Sequence, residues 1–379
     1  MIAASVGATS HGAVALAPEN ERTLVVIFLR GGADGLALVP AVGDDAYHRA
    51  RPRLRVPERE APRLDERFAL HPRLAPLHAL FAAGELAVVH AVGSEDTTRS
   101  HFEAQDLMEH GGVMGGGWLG RFLRFRPAGA GSRALAAVAF GTRVPEVLRG
   151  APAATVLRSL DDFSLGDGGG ALARSLEGLY HADGGVLRGA ARDTLRALAR
   201  LEAIRTTPYR EEHGAAYGAD ELARSLRQVA QLIKARVGLE AVSVDVNGWD
   251  SHFAQGSLVE PLMAQLGTAI AAFRTDLGEA MARTTVVVMT EFGRRVAENA
   301  SLGTDHGRGS VMLVLGGGVR GGQVYGTWPG LEDDGLEGPG DIPVTTNFRD
   351  VLAPVLARHG AGDVLGRVFP GHAGSALPL

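Results

Sequence analysis

The hydrophobic positions of this chain fall into short continuous runs separated by amphipathic stretches. Residues 24–29, 86–92, 241–246, 284–289 and 311–315 are apolar and largely β-branched, and glycine or polar residues bound each run. Runs of this length and composition, with helical segments between them, predict buried strands of a parallel sheet. Elsewhere the period lengthens to that of a helix. Residues 70–83 place Leu74, Leu77, Leu80 and Phe81 at helical spacing, and Gly84 is suited to end that helix. Residues 102–109 have helical character. Leu195, Leu198, Leu201 and Ile204 mark a helix over 187–205, and Leu222, Leu226, Val229 and Leu232 mark another over 219–235. Residues 258–281 and 348–359 complete the set. The stretch 44–67 reads as a polar, Pro-rich excursion, and 111–185, rich in Gly and Ala, as an insertion holding short strands near 134–140 and 154–157. The pattern as a whole predicts an α/β fold, a doubly wound and mainly parallel sheet with helices on both faces.

Candidate chemistry collects where the apolar runs stop. Asp34 lies in Arg30-Gly31-Gly32-Ala33-Asp34-Gly35, Asp250 and His252 in Gly248-Trp249-Asp250-Ser251-His252, and Glu291 in Thr290-Glu291-Phe292-Gly293-Arg294; Asp305 and His306 form a fourth cluster. In an open α/β sheet the C-terminal strand ends share one edge, where ligands bind, so groups far apart in sequence are expected to converge as a metal site. Taken singly, each residue has a plainer reading. Asp34 suits a turn, Ser100 with Glu103 suits a helix-capping box, and Arg294 suits a structural partner for Glu291. Glu291 is the hardest to dismiss, because a carboxylate at a buried strand end needs a partner. Gly316-Gly317-Gly318 lacks the Lys-Ser/Thr of a phosphate loop, and His71, His78, His90, His110 and His359 read as ordinary helix, strand or surface residues.

Composition narrows the possibilities. A net charge of −5 with both signs interspersed leaves no basic stripe for nucleic acid, so a small molecule or an ordinary protein is the expected partner. The chain has no cysteine, which excludes a thiolate nucleophile and leaves nitrogen and oxygen donors for any metal. No run reaches the ~18 apolar residues of a membrane span, so no membrane insertion is expected. Residues 1–20, small and apolar up to Ala15-Leu16-Ala17, read as a disordered leader or as the remnant of an export signal; the second would place the protein in the periplasm or otherwise outside the cytoplasm, and without an upstream signal the cytoplasm is expected; 21–379 then form a single domain.

The runs Leu29-Arg30-Gly31-Gly32-Ala33-Asp34-Gly35, Arg99-Ser100-His101-Phe102-Glu103-Ala104-Gln105, Gly248-Trp249-Asp250-Ser251-His252, Thr290-Glu291-Phe292-Gly293-Arg294 and Asp305-His306-Gly307-Arg308-Gly309-Ser310 resemble the DUF1501 family, placed in the alkaline phosphatase and sulfatase superfamily. The resemblance implies an alkaline-phosphatase-like fold with metal ligands at Asp34, Asp250, His252, Glu291 and His306. It also implies a nucleophile at Ser100 or, less well matched, Thr98, with His101 beside it. Phe292 departs from the pattern, standing where a His ligand is expected. The implied activity is hydrolysis of phosphate esters with one or two divalent ions, Zn, Mn, Mg or Ca. Sulfate esters fit less well, since no Ser lies in a Ser-x-Pro-x-Arg setting. Arg30, Arg99 and Arg294 are candidate clamps for the anionic group. The rival reading is an inactive binding or scaffold protein of the cell envelope.

Overall fold

The computed structural model describes residues 22–126, 133–160 and 187–379. The leader and much of the Gly-rich stretch therefore lie outside the described residues. Among the described residues nine strands form one sheet: β1 (Thr23–Leu29), β2 (Leu86–Gly93), β3 (Ala137–Phe140), β4 (Thr155–Leu157), β5 (Ala241–Val246), β6 (Thr284–Met289), β7 (Ser310–Gly316), β8 (Val324–Tyr325) and β9 (Thr346–Asn347). Their spatial order is β4-β3-β5-β1-β6-β7-β2-β8, with β9 also paired to β2. All of these pairings are parallel except those of β7, which runs against both β6 and β2.

Central strands bury both faces, which is why their sequences are continuous apolar runs. Along β1, Val25, Ile27 and Leu29 enter one core, while Leu24, Val26 and Phe28 enter the other. The first core is covered by α6 (Leu187–Thr206), α7 (Glu221–Lys234) and α8 (Gln255–Leu277). The second is covered by α4 (His101–His110), α5 (Trp118–Phe125) and α9 (Phe348–Leu356). The two-sided, mainly parallel sheet matches the sequence expectation.

Several local expectations differ. The 70–83 helix is split, because Pro76 breaks the α-helical hydrogen-bond ladder: Pro72–Leu77 is a 3-10 segment and α3 (His78–Ala82) follows it. The polar excursion contains α2 (Asp45–Ala50), capped by Asp44. Within the Gly-rich stretch an unexpected helix, α5, buries Trp118, Leu119 and Phe122, while β3 and β4 lie where short strands are expected and extend the sheet. The fourth candidate cluster, Asp305 with His306, precedes β7 rather than following a strand. It still reaches the common edge because β7 starts there. Between β6 and β7 the chain forms no described helix to carry it back across the sheet, and an antiparallel return needs none.

Candidate metal centre

Five chain segments deliver the edge: the ends of β1, β2, β5 and β6 and the approach to β7. The β1 and β5 loops touch closely. Gly31 has φ +121°, and a Cβ there would sit 2.4 Å from the Asp250 backbone nitrogen, so glycine is required. Arg294 fastens these loops together. Its fully buried guanidinium donates to the carbonyls of Gly32 (2.7 Å), Gly31 (2.5 Å) and Thr304 (3.0 Å) and to Asp250 Oδ1 (2.7 Å).

Three imidazoles surround Asp250. His252 Nε2 lies 3.2 Å and His306 Nε2 3.4 Å from Oδ1, and His101 Nε2 lies 3.6 Å from Oδ2. The Nε2 atoms of His252 and His306 are 2.9 Å apart. One donor atom each from His101, Asp250 and His306 fall within 4.8 Å of one another. The far side of each ring is held. His306 Nδ1 donates to the Arg99 carbonyl at 2.9 Å, and His101 Nδ1 donates to Glu291 Oε1 at 2.8 Å; His252 Nδ1 faces Asp305 Oδ1 at 3.5 Å. A ring whose Nδ1 carries the proton presents a lone pair at Nε2. His101 Nε2 is buried with no hydrogen-bond partner, an orphan that a cation among these side chains would satisfy.

Electrostatics favour ligation. Burial pushes the Asp250 carboxyl up, but the hydrogen bond and charge of Arg294, with the nearby imidazoles, outweigh it and hold Asp250 below the usual carboxylate range. Burial also works against Glu291, and hydrogen bonds from His101 and Gln105 reverse that, keeping it ionised. His306 is pushed down, first by burial and then by the charges around it, and so stays neutral, as a ligand must.

The sequence-expected residues divide into three groups. Asp250, His252 and His306 come together. Glu291 sits behind His101, its Oε1 accepting from His101 Nδ1, Gln105 Nε2 (2.8 Å) and Gly31 N (2.9 Å), so it orients a ring instead of facing the cluster. Asp34 stands apart: it caps α1 (Gly35–Leu38), accepts from Gln255 Nε2 at 2.7 Å and forms a two-pronged pair with Arg51 at 2.6 and 3.1 Å. His101, expected beside the nucleophile, instead points its own Nε2 at Asp250. Phe292 packs its ring 4.9 Å from those of His101 and His306, an apolar wall.

Ser100 is the N-cap residue of α4, yet its side chain makes no capping hydrogen bond, so the capping-box reading fails. It lies between Arg99, whose carbonyl holds His306 and whose φ is +56°, and His101. Thr98 Oγ1 is engaged with Asp96 at 2.9 Å. The candidate clamps are engaged too: Arg30 with Glu109 and Asp245, Arg99 with Asp341, and Arg294 as above. Cavities of 550 and 320 Å³ share no lining residue with the cluster.

The sequence profile described as "Protein of unknown function (DUF1501)" matches residues 88–374. The chain belongs to the DUF1501 family. The matched span holds Ser100, His101, Asp250, His252, Glu291, Arg294 and His306, while Asp34 precedes it. No curated protein matches the DUF1501 chain significantly. Among solved structures it is similar to the zinc-complexed C-terminal periplasmic domain of EcEptC from Escherichia coli, at 10% identity and a TM-score of 0.36, covering 80% of this chain and 76% of that one. The PH0037 protein of Pyrococcus horikoshii gives 12% identity and a TM-score of 0.30, covering 79% and 87%. Alkaline phosphatase from the Antarctic bacterium TAB5 gives 9% identity and 0.28, covering 80% and 93%. Among the described residues no helix is long and apolar enough to cross a membrane.

Proposed function

We propose that this DUF1501 protein is a metal-dependent hydrolase of phosphate esters, with the metal held by His101, Asp250, His252 and His306. The observation that carries the reading is the buried, partnerless Nε2 of His101 facing Asp250 beside two further imidazole Nε2 atoms. Three imidazoles and one carboxylate suit zinc or a similar borderline ion better than calcium or magnesium, which favour oxygen donors. Such an ion lowers the cost of charge on an attacking or leaving oxygen.

The remaining steps belong to the chain itself. The start of α4, where Ser100 makes no side-chain cap, offers backbone N–H groups and the positive end of the helix dipole to an anionic ester. Ser100 Oγ attacks phosphorus; the Oγ–P bond forms, the ester P–O bond breaks, and the alcohol leaves with the hydroxyl proton. Water then cleaves the Oγ–P bond and restores the hydroxyl. Ser100 is preferred to Thr98 because the Thr98 hydroxyl is engaged by Asp96. Glu291 and the Arg99 carbonyl keep His101 and His306 turned inward, and Arg294 fixes Asp250.

One observation supports the second reading, a metal-binding protein without turnover: the three motif arginines are all paired, leaving none of them for the ester oxygens. Elemental analysis and turnover of 4-nitrophenyl phosphate and bis(4-nitrophenyl) phosphate separate the two. For a hydrolase, the wild type carries stoichiometric metal and turns over an ester, Ser100→Ala keeps the metal and loses turnover, and Asp250→Ala loses both. Metal without turnover selects the second reading, and no metal in the wild type defeats both. We place the protein outside the cytoplasm on the strength of residues 1–20, which cell fractionation tests.

A further inference from the structure

We infer that the ester is a phosphodiester bearing an aryl or acyl group, lodged on an apolar rim made by Phe102 and Phe253. This rests on the metal-centred reading above and goes beyond it in naming the substrate class.

Each of the two phenylalanines is the chain neighbour of a cluster histidine. Phe102 directly follows His101 and is 87% exposed, and Phe253 directly follows His252 and is 61% exposed. Among the described residues they are the only aromatic side chains among the large exposed hydrophobics. Leu302, also exposed, joins them, since its carbonyl accepts from Gln255 N at 2.8 Å and Ser301 O accepts from Ala254 N at 2.9 Å. Ala254 and Leu302 hold φ angles of +45° and +59°, conformations that side chains other than glycine rarely adopt. Asn299 ties the same loop to the His252 carbonyl at 2.8 Å. Strained, tethered backbone thus holds Phe253 in solvent, and the first turn of α4 holds Phe102 there; exposed apolar rings beside a polar centre are the mark of a binding surface.

Charge argues for a diester. A divalent ion would contribute two positive charges and Arg294 and Arg295 one each, while Asp250, Glu291 and Asp305 remove three, leaving a single net positive charge. Arg30 and Arg99 are already paired. A phosphate monoester carries nearly two negative charges at neutral pH, and a diester carries one. With ion pairing limited, affinity must come from apolar contact, which the rim provides.

Calorimetry on the metal-loaded protein with diphenyl, dimethyl and monomethyl phosphate tests this without depending on turnover. Diphenyl phosphate is expected to bind most tightly. In the Phe102→Ala/Phe253→Ala double variant, checked for unchanged metal content, the diphenyl-to-dimethyl affinity ratio should fall by about tenfold. Equal affinities in the wild type, tighter binding of the monoester, or a ratio unchanged in the variant would overturn the inference. If the ratio is unchanged but binding to anionic phospholipid vesicles is lost in the variant, the rim belongs to a membrane surface instead. Hydrolysis of neither nitrophenyl ester defeats the hydrolase reading alone, leaving the binding ratios to decide this one.

Discussion

Two carboxylates stand in Gly-rich loops at neighbouring strand ends, and their fates are opposite. Asp34, after β1, is 2% exposed, and its oxygens are taken up by Arg51, Gln255 and the first turn of α1. Asp250, after β5, has a side chain 48% exposed and a ring of imidazoles around it. Position at the sheet edge brings a carboxylate to the site, but its partners decide what it does there. Asp34 gives both oxygens to the buried Arg51 guanidinium, whereas Asp250 shares only Oδ1 with the buried Arg294 and faces three imidazole Nε2 atoms.

The sharpest way to break this comparison is to remove the pinned acid. Asp34→Ala strands the buried Arg51 charge, and breaking such a pair costs about 3–5 kcal/mol. Denaturant unfolding should register that loss, with metal content per folded molecule kept; loss of metal at full stability would place Asp34 with the ligands. Acid provides the next test. On the Asp34 side, His90 donates from Nε2 to the Val39 carbonyl at 3.1 Å, and burial pushes it down from 6.5 to about 4. The unfolded chain binds that proton first, so stability is full above pH 6.5 and falls as the pH drops toward 4, by about 3 kcal/mol in all. His90→Gln should flatten urea-derived stability across that window, and an unaltered slope would contradict the assignment. The smallest effect is expected at Glu291→Gln, which weakens the hold on His101 and should lower metal affinity by about 10–100-fold in chelator competition. Unchanged affinity would mean that Glu291 does not orient the ring.

Much of this was legible in the sequence. The apolar runs at β1, β2, β5, β6 and β7 mark the sheet because burial on both faces demands them, and the polar residues at their ends mark the edge. Direction was not legible, since an apolar run reads alike both ways; β7 therefore looked like one more parallel strand. Nor could pairing be read. Asp34 differs from Asp250 through Arg51 and Gln255, one 17 residues away and the other 221. His101 differs from an ordinary helix-start residue through Glu291, 190 residues away. Phe292 stood where the family resemblance expects a His, and its ring packs against those of His101 and His306.

The reversed direction of β7 has a consequence for how such proteins diversify. The chain leaves the sheet at the end of β6 and re-enters at the start of β7 on the same rim, so Glu291, Arg294, Asn299 and His306 all ride on one excursion. Length can be added to or removed from the middle of that excursion without shifting the register of any strand. Relatives could therefore exchange the excursion as a single cassette, altering what the rim accepts while inheriting the sheet beneath it intact.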